Sequence, residues 1–111
     1  MLAAGGAVAA TRCDKIERVD ALNECLGDEL GIADKALNST YAELRRKLAP
    51  ERQEVLKKAE TAWIALRDND CDFEASAAVG GTAYQSLNLS CQIEATKRRL
   101  RLLQDWRKRS L

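Results

Sequence analysis

Four cysteines in a chain of 111 residues limit the fold of this protein more than any other feature of its sequence. They are Cys13, Cys25, Cys71 and Cys91. A domain of this length buries only about 65% of the surface that its unfolded chain exposes, so cross-links contribute strongly to its stability. Zinc-binding cysteines usually come as two close pairs, whereas 11, 45 and 19 residues separate these four. We therefore favour two disulfide bonds, formed in an oxidising compartment, over a four-thiolate zinc site.

The chain has no histidine, and this absence excludes many common catalytic sites. There is no imidazole to act as a general base, no Ser-His or Cys-His pair and no mixed Cys/His zinc site. Carboxylates alternate with other residues at Asp68, Asp70, Asp72 and Glu74. Alternate positions of a helix point about 200° apart, so these groups do not converge on a substrate or a calcium ion. We predict a protein that is not an enzyme and that holds no metal or cofactor.

Residues 1–12 form a segment apart from the single domain that we predict for residues 13–111. Residues 1–10 are uncharged, small and apolar, and Ala7-Val8-Ala9 has the small-x-small form of a signal peptidase site. This segment has the character of a residual export signal or of an expression-vector remnant. Cys13 follows Thr11-Arg12 rather than the small or apolar residues that precede a lipidated cysteine. We expect a periplasmic or secreted protein with no transmembrane segment.

Apolar residues recur at steps of three and four before the single proline, Pro50, and predict an amphipathic helix over residues 20–49. Asp20 suits its N-cap, and Gly27 and Gly31 are the positions at which this helix would bend or break. Pro50 suits the first turn of a second helix. The apolar stripe of that helix consists of Leu56, Ala59, Trp63, Leu66 and Phe73.

The short connection at Pro50 forces these two helices into an antiparallel hairpin. We expect Tyr41, Trp63 and Phe73 in the core of the domain. The helical pattern fades over residues 75–90, where Gly80-Gly81 is the clearest breaker, and a third helix follows over residues 89–108. The predicted fold is all-α, an antiparallel helical hairpin plus a third helix, stapled by two disulfides.

Charge is distributed unevenly along a chain whose net charge is only +1. Residues 14–34 carry seven carboxylates, while residues 97–109 carry seven cations and one carboxylate. The simplest interpretation is that two helices with complementary charge face each other. The alternative is a basic patch on the third helix that binds anionic lipid or cell-wall polymer. Trp106 lies beside these cations, and its position is compatible with packing or with partner contact.

One motif of the second helix is specific: Trp63-Ile64, Arg67-Asp68 and Cys71. It occurs together with Leu37-Asn38, Tyr41, Leu44, Leu56, Ala59, Gly80-Gly81-Thr82, Cys91, Thr96 and Arg99-Leu100. With these residues the sequence resembles the LprI-type lysozyme inhibitor N-terminal domain, a bacterial periplasmic family, over about residues 13–103. Two departures are Glu60, where the family usually has glutamine, and the absence of a lipidation motif before Cys13.

The resemblance implies an exported, all-helical, disulfide-bonded domain, and it suggests inhibition of lysozyme. It also favours the pairing of Cys13 with Cys25 and of Cys71 with Cys91. The hairpin geometry leaves a rival open, in which Cys25 pairs with Cys71 and Cys13 with Cys91.

Two sets of residues are the candidate sites. The first is a structural motif in which Arg67, paired with a carboxylate or stacked on an aromatic ring, anchors the helices; it comprises Trp63, Arg67, Asp68, Gly80 and Gly81. The second is a partner-binding loop over residues 79–90, with candidate contacts at Val79, Thr82, Tyr84, Gln85 and Asn88.

The leading hypothesis is an exported, non-catalytic binding domain whose protein partner is a lysozyme, with the active-site cleft occluded by a loop or helix end. Lysozymes are commonly basic, so such an inhibitor needs acidic surface, which residues 14–34 or the carboxylates of residues 68–74 would supply. The alternative hypothesis is an envelope-associated module that uses its basic third helix. Neither hypothesis involves nucleic acid, and the oligomeric state is left open.

Overall fold

The computed structural model describes residues 12–78 and 80–109, so residues 1–11 of the segment 1–12, which we interpret as an export signal or a vector remnant, lie outside the described residues. The described chain forms three long helices, α1 (Val19–Arg46), α2 (Pro50–Ala75) and α3 (Tyr84–Lys108), with a short 3₁₀ turn at Ser76–Ala78. No strand is present in the described residues. The prediction of an all-α fold, a helical hairpin plus a third helix, is confirmed.

Helix α1 is one continuous helix across both of its glycines. It begins one residue before the predicted start and ends at Arg46 rather than near residue 49. The main-chain helix passes through Gly27 and Gly31 without a break, although each glycine costs about 1 kcal/mol relative to alanine. The expected break at the glycines is therefore wrong, and this continuous helix packs extensively against α3.

The connection between α1 and α2 is short and well ordered by hydrogen bonds. Pro50 occupies the first turn of α2, where its missing N–H group has no helical partner to lose. The side-chain amide of Gln53 donates to the Leu48 carbonyl at 3.0 Å, which ties the start of α2 to the turn. The chain reverses direction within the three residues that separate α1 from α2.

Helix α3 is the central element of the fold, because α1 and α2 each pack against it far more extensively than against each other. Helices α1 and α3 run parallel, since Asn23 bonds to Ser86 near one end and Glu43 pairs with Arg107 near the other. Helix α2 runs antiparallel to α3, with Glu60 beside Arg99 and Cys71 bonded to Cys91.

Both disulfides have the pairing that the family resemblance favours. Cys13 is bonded to Cys25, which holds the lead-in of residues 12–18 against α1, and Cys71 is bonded to Cys91, which joins the end of α2 to α3. The Cα–Cα distances are 5.9 and 5.5 Å. The rival pairing is thereby excluded.

The apolar core consists of two clusters along α3. One is built around Leu37, Leu44, Leu56 and Leu103 and is flanked by Tyr41, Trp63 and Trp106. The other joins Cys13, Leu26 and Ile93 near the start of the helices. Tyr41 and Trp63 thus pack on the core as expected, and Trp106 also packs rather than projecting from the surface. No helix of the described chain is long and apolar enough to cross a bilayer.

The prediction that Phe73 is a core residue is wrong, and Leu66 of the predicted apolar stripe is not buried either. Leu66 is 58% exposed and Phe73 is 79% exposed. The face of α2 that meets α3 follows a different line of the helix, with steps of three and four residues: Leu56, Glu60, Trp63, Arg67, Cys71 and Ala75. Two charged residues lie on that inner face, so apolar periodicity alone assigned part of the wrong side of the helix.

Candidate functional site

A stack of arginine and tryptophan side chains joins α2 to α3. The Arg67 guanidinium lies 5.2 Å from the centre of the Trp63 ring, and the Arg99 guanidinium lies 5.5 Å from the same ring. Arg99 is also 5.3 Å from the ring of Trp106, so it lies between two indoles. Each partly desolvated contact of this kind contributes about 1 kcal/mol.

Both arginines of this stack also form ion pairs with carboxylates. Arg99 Nε donates to Glu60 Oε1 at 2.9 Å, with both side chains 11% exposed. Arg67 Nε donates to Asp68 Oδ1 at 3.0 Å and approaches Asp34 of α1 at 3.6 Å. The nitrogen that approaches Asp34 is Nη1, and it also donates to the hydroxyl of buried Thr96 at 3.3 Å. Arg67 therefore contacts all three helices, which supports the interpretation of the Trp63, Arg67 and Asp68 motif as a structural anchor.

The turn before α3 contains the other part of that motif. Gly80 has a φ of +84°, a left-handed conformation that a side chain disfavours. The Gly81 N–H donates to the Ala78 carbonyl at 2.9 Å. These two glycines lie in the turn between the 3₁₀ turn and α3, where the chain reverses direction.

The expected partner-binding loop is shorter than predicted, because α3 begins at Tyr84 and residues 84–90 are helical. Val79 lies outside the described residues, and Thr82 is exposed in the turn. Tyr84 and Asn88 donate to the Asp72 carboxylate at 3.4 and 3.1 Å, and Gln85 accepts from Asn23 at 3.4 Å. These hydrogen bonds attach the first turns of α3 to α2 and α1.

The parallel arrangement of α1 and α3 separates charge between the two ends of the molecule. Residues 12–34 lie beside the first half of α3, and residues 68–75 lie there too because α2 is antiparallel. Residues 12–34 and 68–96 together hold twelve carboxylates and three cations, a net charge of −9. Residues 35–67 and 97–109 hold five carboxylates and fifteen cations, a net charge of +10.

We call these two parts the acidic end and the basic end. The expectation that residues 14–34 and 97–109 face each other with complementary charge is wrong, because those segments occupy opposite ends of parallel helices. A helix of 25 residues is about 37 Å long, several times the Debye length of about 8 Å at physiological salt. The two ends therefore act as separate electrostatic surfaces.

Most carboxylates of the acidic end are exposed to solvent. Two groups that are distant in sequence contribute, one from the lead-in and α1 and one from α2, with Glu94 between them on α3. The exposed members are Asp14, Glu17, Asp20, Glu24, Asp28, Asp68, Asp70, Asp72, Glu74 and Glu94. Among the described residues, no three of these carboxylates lie close enough together to hold a metal ion.

Asp34 is half-buried beside Arg67, whereas Glu29 is fully buried at the acidic end, with only 5% of it exposed. It borders a cavity of about 320 Å³ between the lead-in, α1 and α3. In the sequence, Glu29 is one of the seven carboxylates of residues 14–34. Its burial could have been predicted from its spacing. Glu29 lies three residues after Leu26 and four before Ala33, on the buried face of α1.

The basic end is partly neutralised by ion pairs. Arg107 pairs with Glu43, Arg99 with Glu60, and Arg109 with Asp105. Arg98 and Arg101 are exposed on α3, and neither forms an ion pair with another residue in the described part of the chain. The uncompensated basic surface of α3 is therefore smaller than its sequence indicates.

The sequence of this chain matches one family model and two curated proteins. The family model described as lysozyme inhibitor LprI matches residues 11–103. An uncharacterised protein of Rhizobium meliloti (strain 1021) is 32% identical, over 70% of this chain and 66% of its own length. The uncharacterised protein YecT of Escherichia coli (strain K12) is 31% identical, over 80% of this chain and 64% of its own length.

The chain thus spans slightly less than two thirds of the length of these curated relatives. No solved structure matches it. The family match covers the lead-in, both disulfides, the Trp63 and Arg67 stack and most of α3. The chain belongs to the lysozyme inhibitor LprI family.

Proposed function

We propose that this protein is an exported, non-catalytic domain that binds a basic lysozyme through its acidic end and occludes the active-site cleft. The observation that carries the proposal is the charge of −9 on residues 12–34 and 68–96, which the fold gathers at one end. Family membership supports the kind of partner, and the two disulfides support a periplasmic or secreted location.

Charge complementarity of this kind raises the rate of association and selects the orientation of the partner. The segments available to enter a cleft at the acidic end are the lead-in of residues 12–18 and the turn of residues 80–83, which both precede parallel helices. The first is held by the Cys13–Cys25 disulfide and the second is adjacent to helix α3, which limits the entropy that binding would cost. Inhibition by occlusion requires no catalytic group.

The test is lysis of a peptidoglycan suspension by several lysozymes, with the oxidised protein added in stoichiometric steps. We expect saturable inhibition of basic lysozymes, weaker inhibition of acidic ones, and loss of inhibition after reduction of the disulfides. Unchanged lysis by every lysozyme at micromolar excess of the folded protein would refute the proposal.

The basic end supports a second candidate function, an envelope-associated module that binds anionic lipid or cell-wall polymer. The supporting observation is the exposure of Arg98 and Arg101 on α3, in a region of net charge +10. Sedimentation with phosphatidylglycerol vesicles at rising salt tests it. Binding that is lost in R98Q/R101Q and falls steeply with salt would support this function, and absence of binding at low salt would exclude it.

A further inference from the structure

The cavity at the acidic end combines an apolar wall with carboxylates. Its volume of about 320 Å³ is at the lower limit of typical ligand pockets. The wall includes Leu22, Leu26 and Ile93, and the carboxylates at its border are Asp14, Glu29 and Glu94. Among the described residues that line it there is no lysine or arginine. A ligand that matches this lining has an apolar stem and a positive charge.

Glu29 is the group that requires such a charge most strongly. Its side chain is 5% exposed, and a buried carboxylate is costly unless a cation or several hydrogen-bond donors compensate it. The partner within this chain is Arg12, whose Nη1 lies 2.6 Å from Glu29 Oε2. The geometry of that approach is not that of a hydrogen bond, since Oε2 is without a hydrogen-bond donor in the described structure.

Arg12 is a loosely held partner for Glu29. Its side chain is 60% exposed, and it is not among the residues that line the cavity. An exposed arginine that holds a buried carboxylate from the outside loses little packing when it leaves. A second basic side chain that enters the cavity would bury its aliphatic part against the apolar wall. Its charged group would form an ion pair with Glu29, as Arg12 does.

We propose that the cavity is a receptor for a basic side chain, arginine or lysine, of the protein partner, and that this side chain pairs with Glu29 in place of Arg12. The identification of that partner as a lysozyme rests on the proposed function; the receptor for a basic side chain does not. The exposed carboxylates around the cavity would attract the partner, and Glu29 would fix which of its basic residues is inserted.

A small probe tests the receptor without any lysozyme. The probe is N-acetyl-argininamide, and the matched control ligand is N-acetyl-citrullinamide, which has nearly the same shape but no charge. Titration is followed by amide chemical shifts in two-dimensional NMR of the oxidised protein. We expect the arginine probe, but not the citrulline probe, to shift the amides of residues that line the cavity, with a dissociation constant in the millimolar range.

Three variants test the roles of the charged residues. E29Q should abolish the effect of the arginine probe, whereas E24Q, which removes an exposed carboxylate from the same helix, should reduce affinity by less than about twofold. R12A should raise affinity several-fold, because it removes the competing cation. If E29Q does not fold, S90F serves in its place, because it fills the border of the cavity from an exposed position of α3.

Equal effects of the two probes, or no binding to R12A at tens of millimolar probe, would overturn the receptor. The same would follow if E24Q and E29Q lost binding equally. Failure of the proposed function gives a different result, in which the arginine probe binds as described but no lysozyme is inhibited. Conversely, inhibition of lysozyme that is unchanged in E29Q and S90F would leave the proposed function in place and exclude this cavity from it.

Discussion

Arg99 Nε lies 2.9 Å from Glu60 Oε1, and this ion pair is enclosed between α2 and α3 with 11% of each side chain exposed. A second nitrogen of Arg99, Nη2, is buried without a hydrogen-bond partner in the described structure, so the guanidinium depends on Glu60 and on the two indole rings.

Removal of one partner of this pair should destabilise the fold strongly. We expect E60A to lower the free energy of unfolding by about 3 kcal/mol, because it leaves the Arg99 cation buried without a counter-charge. E60Q keeps an acceptor and should cost only about 1 kcal/mol. Urea unfolding measures both, with E54A on the exposed side of α2 as the control. Equal effects of E60A and E54A would contradict the structural role of the pair.

The guanidinium of Arg67 should not be replaceable by an ammonium group. R67K keeps the charge but loses the planar stack on Trp63 and the separate bonds to Asp68 and Thr96. We expect a loss of about 2 kcal/mol in the free energy of unfolding. R101K, at an exposed position of α3, should have no measurable effect. A stability of R67K equal to that of R101K would show that charge alone is sufficient.

The two disulfides should contribute similar amounts to stability. Each closes a short loop, with sequence separations of 12 and 20 residues, for which the chain-entropy model gives about 3 kcal/mol. We expect the double variants C13A/C25A and C71A/C91A each to lower the melting temperature by about 15 °C. Scanning calorimetry under oxidising conditions measures these melting temperatures. The reduced wild-type protein is the reference for the loss of both disulfides. A change below about 3 °C for either variant would contradict its stabilising role.

The exposed position of Phe73 predicts that its ring contributes little to the folded state. We expect F73S to change the free energy of unfolding by less than about 0.5 kcal/mol, since 79% of the side chain is exposed. L103A, which empties a fully buried position of α3, should cost about 3 kcal/mol. Chemical denaturation of the two variants provides the comparison. A loss in F73S as large as that in L103A would place Phe73 in the core after all.

Periodicity predicted the three helices because most of the buried positions of α1, such as Leu37 and Leu44, are apolar and regularly spaced. It failed on α2, where Glu60 and Arg67 occupy the inner face and make the face look polar. It also failed for residues 84–90, which are helical and hydrogen-bond to Asn23 and Asp72, contacts that local sequence does not reveal.

The candidate site, too, could be predicted only in part from the sequence. The seven carboxylates of residues 14–34 and the four of residues 68–74 were evident in the sequence, but their union at one end depends on α1 running parallel to α3. Helix direction follows from the length of the connections and the disulfide pairing, and the sequence left the pairing open between two arrangements. The cavity beside Glu29 depends on the lead-in held by Cys13, which periodicity does not describe.

The most direct test of the acidic end as the binding surface compares two sets of charge variants in lysozyme inhibition and in binding by calorimetry. One set neutralises exposed carboxylates at the acidic end, E17Q/E24Q/D28N, and the matched set neutralises three cations at the basic end, R98Q/R101Q/K108Q. We predict at least a tenfold loss of affinity for a basic lysozyme in the first set and little change or a gain in the second. An affinity unchanged in the first set and lost in the second would contradict the account.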